Sequence, residues 1–288
     1  MVSDIEFCKL SGSGNDFICI DNRDGRYNEM LASGQVEAFA RKVCRRGLSV
    51  GADGIIFASG AATDEEGDIG ARFFEPDGSE AELCGNGTGC FALWVLDNGW
   101  VKNHEVCIQT PAGMVRANKV ESPYVRVCIP IPEGLKQNLQ LVIKGEPWLC
   151  DYLVTGVPHV ITYVENVDKV DVGHLGPRFR HHGHFAPRGA NANFVQVCDV
   201  GRITVRTFEF GVEAETYACG TGSASAAILA AIRFDWPKKY LTGEEPVLVK
   251  VRSGDTLKVF FKLKPDNFVT DVCLDTVVRF IYTGVMHP

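Results

Sequence analysis

Cys84-Gly85-Asn86-Gly87-Thr88-Gly89 and Cys219-Gly220-Thr221-Gly222-Ser223-Ala224 carry the same turn twice, and reading them together decides the fold. The same pieces precede both. Arg72-Phe73-Phe74-Glu75 and Glu80-Ala81-Glu82-Leu83 lead into the first cysteine. Arg206-Thr207-Phe208-Glu209 and Glu213-Ala214-Glu215-Thr216 lead into the second. The order R-x-F-E, E-A-E, C-G-x-G recurs about half a chain apart, which reads as a duplicated domain rather than a solenoid.

Local patterns give both copies one course. Residues 69–74 and 202–208 alternate and are rich in strand formers. A polar turn follows, and the C-G-x-G element then opens a helix, over 90–96 in one copy and 224–232 in the other. Both helices are apolar nearly all round, which marks them as buried. Further strands are expected at 5–10, 16–21, 54–58, 105–109, 112–117, 124–130, 139–143, 157–164, 191–198, 247–252, 256–262 and 267–273, with one amphipathic helix from Val36 to Arg45. The fold class is therefore α+β: two pseudo-symmetric, strand-rich lobes, each wrapped around a central helix. The first lobe covers 1–122 and the second 123–274, with the seam near Glu121-Ser122-Pro123.

A chain of 288 residues suits two such lobes. No apolar run approaches the ~20 residues of a membrane helix. Met1-Val2-Ser3-Asp4-Ile5-Glu6-Phe7 shows no secretory signal, so a cytoplasmic location is expected. The net charge of −7, with scattered basic residues, argues against nucleic acid and anionic membrane as partners. The expected partner is a small amino acid, and a homodimer is left open. The eleven cysteines are odd in number and lack a signal, which favours free thiols. Cys8, Cys19, Cys107, Cys128, Cys150, Cys198 and Cys273 lie in apolar strand-like runs and read as small buried hydrophobes. His181, His182 and His184 cluster, but no C-x-x-C accompanies them, so no metal is expected. Gly12-Ser13-Gly14 lacks the third glycine and following helix of a dinucleotide fingerprint and reads as a turn.

Cys84 and Cys219 differ from the other cysteines because each stands at a helix start. Unpaired N–H groups and the helix dipole there lower a thiol pKa below ~8.5. They also form an anion site shaped for a carboxylate. Two such turns opposed across one substrate would grip its carboxylate and set a sulfur on each face of the α-carbon. One thiolate would remove the α-proton while the other thiol delivers a proton to the far face. Preorganised N–H donors would stabilise the charge developing on the carboxylate. The reaction class is racemisation or epimerisation with no cofactor.

With these motifs in place, the chain resembles the diaminopimelate epimerase family over essentially its whole length. The matching segments are Gly12-Ser13-Gly14-Asn15-Asp16-Phe17, Gly51-Ala52-Asp53-Gly54, Asp77 to Glu82 leading into Cys84-Gly85-Asn86-Gly87, Val157-Pro158-His159, Asn191-Ala192-Asn193-Phe194 and Cys219-Gly220-Thr221-Gly222. The resemblance implies two pseudo-symmetric lobes, with the C-terminal tail 275–288 returning to the first. It also implies a thiol–thiolate pair working without pyridoxal phosphate. By that likeness His159 assists Cys84 and Glu209 assists Cys219. Gly85, Asn86, Gly220 and Thr221 hold the reacting carboxylate, and Asn15 supports the same end.

The departures concern the far end of the substrate. The family usually carries Asn, Asn and Arg where this chain has Glu75, Val157 and Phe210; only Asn191 fits. Gly89 stands where an Arg is usual. Losing an Arg and gaining a Glu changes the subsite by about two charges, each worth on the order of 4 kcal/mol at close range. A distal carboxylate would be repelled, whereas a basic or imidazole side chain would meet Glu75 and stack on Phe210. Histidine is the expected substrate, ahead of lysine, ornithine and arginine. Diaminopimelate is the alternative, and a non-catalytic amino-acid-binding protein of the same fold is the rival of another class.

Overall fold

The computed structural model describes residues 4–60, 67–81 and 84–287. Glu82-Leu83 of the first repeat, and Met1-Val2-Ser3, lie outside the described residues. The chain divides into two compact units: Met1–Val127 with Thr276–Pro288, and Cys128–Asp275. The seam therefore falls after Val127 rather than at Glu121-Ser122-Pro123. The reason is local, since the Pro123 carbonyl accepts from Val278 N–H at 3.0 Å and keeps this stretch in the first unit.

The first unit contains β1 (Ile5–Gly12), β2 (Asn15–Asp21), β3 (Gly54–Gly60), β4 (Ile69–Phe74), β5 (Glu80–Ala81), β6 (Glu105–Thr110), β7 (Gly113–Lys119) and β8 (Tyr124–Cys128). Its helices are α1 (Asn28–Ala32), α2 (Gln35–Val43) and α3 (Gly85–Asp97). The second contains β9 (Glu133–Ile143), β10 (Glu146–Thr155), β11 (Val157–Tyr163), β12 (Asn191–Asp199), β13 (Arg202–Glu209), β14 (Ala214–Thr216), β15 (Val247–Lys250) and β16 (Thr256–Leu263). Its helices are α4 (Val172–Arg180), α5 (Gly220–Arg233) and α6 (Lys238–Leu241). The last strand, β17 (Val269–Met286), begins in the second unit and ends in the first, where it pairs with β1.

The duplication is explicit in the pairing. In the first unit β1–β2 is antiparallel, β2–β3 parallel, β3–β4 antiparallel, β4–β6 parallel and β6–β7 antiparallel. In the second unit β10–β11, β11–β12, β12–β13, β13–β15 and β15–β16 repeat that alternation in the same order. Even an ion pair recurs. Arg72 meets Glu80 at 2.7 Å across β4 and β5, and Arg206 meets Glu215 at 2.6 Å across β13 and β14.

Each unit folds its strands around one helix, α3 against β1, β2, β6 and β7, and α5 against β10 to β13, β15 and β16. Small residues make this possible. Ala224, Ala226, Ala227, Ala230 and Ala231 of α5 are fully buried with Ile228 and Leu229. In α3, a Cβ on Gly89 would stand 2.6 Å from Thr276 Cγ2, so a side chain there would have to displace the end of the chain. Burying such apolar helices supplies most of the driving force, at about 25 cal/mol per Å². The amphipathic α2 covers the outside of the first unit, burying Val36, Ala40 and Val43.

The expectation that all cysteines are free thiols is corrected. Cys128 and Cys273 form a disulfide that joins the two ends of the second unit. They meet because Ile129 N–H donates to the Val272 carbonyl at 3.0 Å, which sets the two strands side by side. Among the described residues, no helix is long and apolar enough to cross a membrane, and no group of three His, Cys, Asp or Glu side chains could hold a metal ion.

Candidate active site

The first half-site is the start of α3. Cys84 is the N-cap, with extended backbone (φ −127°, ψ 110°), and its sulfur accepts from Gly87 N–H at 3.4 Å. The residue before a helix must be non-helical for its side chain to reach back to these donors. Thr88 closes the turn from both its N–H and its hydroxyl onto the Cys84 carbonyl, at 2.7 and 2.8 Å. Gly12 lets β1 approach this turn, since a Cβ there would lie 2.7 Å from the Asn86 carbonyl oxygen.

A polar chain runs outward from the turn. Asn86 Nδ2 donates to Asn15 Oδ1 at 2.8 Å, and Asn15 Nδ2 donates to Asp53 at 3.3 Å. Arg46 then bridges Asp53 and Asp16, and buried Lys9 pairs with Asp16 at 2.8 Å. Burial alone would raise the Asp16 pKa, but Arg46 and Lys9 outweigh it and hold the carboxyl low. Asn15 and Asn86 are thus brought together, and Gly85 is the first residue of α3. Glu75 lies just past β4, half-buried, in a tight turn where its N–H donates to the Ser79 carbonyl at 2.9 Å.

The second half-site repeats the turn with different neighbours. Cys219 caps α5 with the same backbone (φ −122°, ψ 110°), and Gly220 begins the helix. Its sulfur lies 3.7 Å from the Thr221 hydroxyl, which lies 3.1 Å from His159 Nε2. Asn193 faces the other ring nitrogen at 3.3 Å. The orientation of that amide is fixed, because Nδ2 donates to the Val160 and Asn191 carbonyls while Oδ1 accepts from Thr207. An amide nitrogen facing Nδ1 leaves the ring proton on Nε2, directed at Thr221. The threonine hydroxyl is then free to donate to sulfur. Complete burial lowers the His159 pKa to about 3, so the ring is neutral.

One sequence expectation changes here. A helix start was expected to lower the thiol pKa, yet for Cys219 burial dominates and raises it well above its ordinary value. Glu209 adds to the rise by charge and hydrogen bonding, while Gly222 N–H and Thr221 oppose it. Within its own unit, His159 faces Thr221 and Asn193 through its two ring nitrogens. Asn191 lies beside it, paired with His159 across the parallel β11–β12 ladder, and accepts from Phe210 N–H at 2.6 Å. Val157 opens β11. Phe210 is 43% exposed, but the guanidiniums of Arg180 and Arg188 already lie 4.3 and 5.9 Å from its ring centre.

Asn193, Asp53 and Arg46 were not singled out as site residues from sequence. Asn193 could have been, since N-A-N on a strand puts both amides on one face.

The sequence profile of the diaminopimelate epimerase family matches residues 7–126 and 152–264. The diaminopimelate epimerase of Aquifex aeolicus is 41% identical over 260 residues, covering 89% of this chain and 90% of that one. That of Chlorobaculum tepidum is 35% identical over 286 residues, covering 96% and 99%. Among solved structures, a Bacillus anthracis phenazine biosynthesis protein of the PhzF family superposes with a TM-score of 0.74 at 17% identity, covering all of both chains. A hydroxyproline epimerase from Agrobacterium vitis, with bound trans-4-hydroxy-L-proline, gives 0.72 at 14% identity, covering 98% of this chain and 91% of that one. These two structural likenesses speak to the fold. By family profile and curated relatives together, the chain belongs to the diaminopimelate epimerase family and is an isomerase of the racemase and epimerase type.

Proposed function

We propose that the chain epimerises the α-carbon of diaminopimelate, with Cys84 and Cys219 as the two proton-transfer groups and no pyridoxal phosphate. The observation that carries the chemistry is the matched pair of cysteine N-caps on α3 and α5, in units that repeat one another strand for strand. One sulfur acts as base and the other as acid, and their roles exchange when the opposite hand is bound. N–H groups at the two helix starts, that of Thr221 among them, receive the reacting carboxylate together with the Asn86 side chain.

The substrate is supported by the names of the relatives and by charge. Phe210 replaces a usual arginine, but Arg180, itself paired with Glu213 at 3.2 Å, and Arg188 lie near its ring, so that end carries cations beside its carboxylates. A distal carboxylate is therefore not stranded among anions, which weakens the case for histidine. A second reading keeps a basic or imidazole amino acid as substrate, because Glu75 adds a carboxylate where the family usually has an amide. An amino-acid panel in heavy water, followed by NMR for α-deuteration, tests both. Diaminopimelate should exchange at least tenfold faster than histidine, lysine, ornithine and arginine, about 1.4 kcal/mol of differential transition-state binding. Faster exchange of any of those four would replace the substrate. Exchange that persists in both Cys84→Ser and Cys219→Ser would remove the chemistry.

A further inference from the structure

The duplicated fold assigns equivalent residues, and one equivalence has a chemical consequence. Ile55 faces Phe74 in the β3–β4 ladder, and Ala192 faces Phe208 in the β12–β13 ladder. Phe74 pairs with Glu80 in β5, and Phe208 pairs with Glu215 in β14. Those two glutamates hold the recurring ion pairs to Arg72 and Arg206. Phe74 and Phe208 are both buried, and each is followed by a half-buried glutamate, Glu75 or Glu209. The helix starts confirm the register. A Cβ on Gly87 would lie 3.3 Å from the Phe17 ring, and one on Gly222 would lie 3.3 Å from the His159 ring. Phe17 and His159 each stand first in the parallel pairing of their units. By every marker, Glu75 holds in the first copy the place that Glu209 holds in the second.

Glu209 acts on Cys219, raising its thiol pKa by charge and by hydrogen bonding, beyond what burial does. We propose that Glu75, in register with Glu209, is a positioning residue that stands to Cys84 as Glu209 stands to Cys219 and keeps the proton on that sulfur. This rests on the two-thiol reading and deepens it. A two-base reaction needs two states of similar energy, one with the proton on Cys84 and one with it on Cys219. A carboxylate beside Cys219 alone would bias the proton toward that sulfur. A matching carboxylate beside Cys84 offsets the part of that bias that Glu209 contributes.

The test reads the two thiols without turnover. Iodoacetamide alkylation is followed across pH, with Cys84 and Cys219 peptides quantified separately by mass spectrometry. Glu75→Gln should lower the alkylation midpoint of Cys84 by roughly one pH unit, the usual scale for removing a neighbouring like charge. The midpoint of Cys219 should stay or rise. Glu209→Gln should give the mirror image. Glu75→Asn, a shorter amide with the same charge change, serves if the glutamine variant melts early, and it should shift Cys84 in the same direction. An unmoved Cys84 midpoint in a folded Glu75 variant overturns the proposal. If the same variant instead changes only the preference among substrates, Glu75 is a selectivity contact. Failure of the two-thiol reading shows elsewhere, as inversion of the α-carbon retained by Cys84→Ser, so the two outcomes are distinguishable.

Discussion

Replacing Thr221 by valine removes one oxygen from the line that runs from Asn193 through His159 to Cys219, and little else. The side-chain volume is nearly kept, and the Thr221 carbonyl still accepts from Thr155 at 3.0 Å. Two effects separate. The Cys219 thiolate loses a hydroxyl donor 3.7 Å away. A hydrogen bond to a charged group is worth about 1.5–3 kcal/mol, and a long contact to sulfur takes the lower figure. At 1.36 kcal/mol per unit, the thiol pKa should rise by about one. Thiolate-dependent turnover on the acidic limb should then fall about tenfold. Second, His159 Nε2–H is left without its acceptor at a fully buried site, which costs about 1–3 kcal/mol of stability. The assays are the pH profile of kcat/KM in each direction and a thermal melt. Thr221→Ser should restore the profile, because it returns the hydroxyl. A valine variant with an unchanged profile and an unchanged Tm would refute the relay and leave Thr221 as packing only.

Cys84→Ser and Cys219→Ser should each reduce inversion of the α-carbon by several orders of magnitude, whereas Cys107→Ser should not; chiral analysis of the product checks all three. Protonation of His159 sets a pH window for stability. Its folded pKa lies near 3, below an ordinary 6.5, so its contribution is complete above pH 6.5 and is lost as pH falls toward 3. The loss is on the order of 5 kcal/mol by pH 3. Denaturant midpoints measured from pH 8 to 4 should therefore decline more steeply in the native protein than in His159→Phe. Gly12→Ala should lower Tm and kcat together, since its Cβ would sit 2.7 Å from the Asn86 carbonyl oxygen. Cys128→Ser should lower the melting temperature of the second unit, because the Cys128–Cys273 link spans 145 positions. Loop closure of that length stabilises by up to about 5 kcal/mol, and calorimetry with and without reductant provides the comparison.

What the sequence shows well are features whose cause is local and repeated. The helix starts at Cys84 and Cys219 follow from glycines and small residues beside apolar runs, and the observed α3 and α5 begin immediately after each cysteine. Strand β10 is a different case. Glu146-Pro147-Trp148-Leu149-Cys150-Asp151-Tyr152 has no clean alternation, because Asp151 is fully buried and paired with Arg233 at 3.2 Å. Only the tertiary partner makes that pattern intelligible. Helix α4 was also hidden, since Gly173, Gly176 and Pro177 read as loop. Gly176 is needed there because a Cβ would lie 2.5 Å from Phe208. The disulfide joins residues whose proximity exists only once β17 has returned. At the distal end, the substitution of Phe210 was visible, but the arginines that cover it come from α4 and the loop after it.

The two half-sites share a turn and differ in what stands behind it. Behind Asn86 lies a chain of polar and charged groups, Asn15 to Asp53 to Arg46 to Asp16, each bonded to the next. Such a chain orients an amide and resists reorganisation, which suits gripping a carboxylate. Behind Thr221 lies a neutral imidazole whose one proton is aimed by Asn193. A hydroxyl held that way can offer its hydrogen to sulfur without bringing a charge to it, which suits the proton-transfer role proposed for Cys219. Duplication therefore did not need to preserve the surroundings of the two turns. A reaction that runs in both directions requires that the two sulfurs not differ greatly in energy, and the glutamates at 75 and 209, in register in both copies as the Arg72–Glu80 and Arg206–Glu215 pairs are, are the groups proposed to act on them.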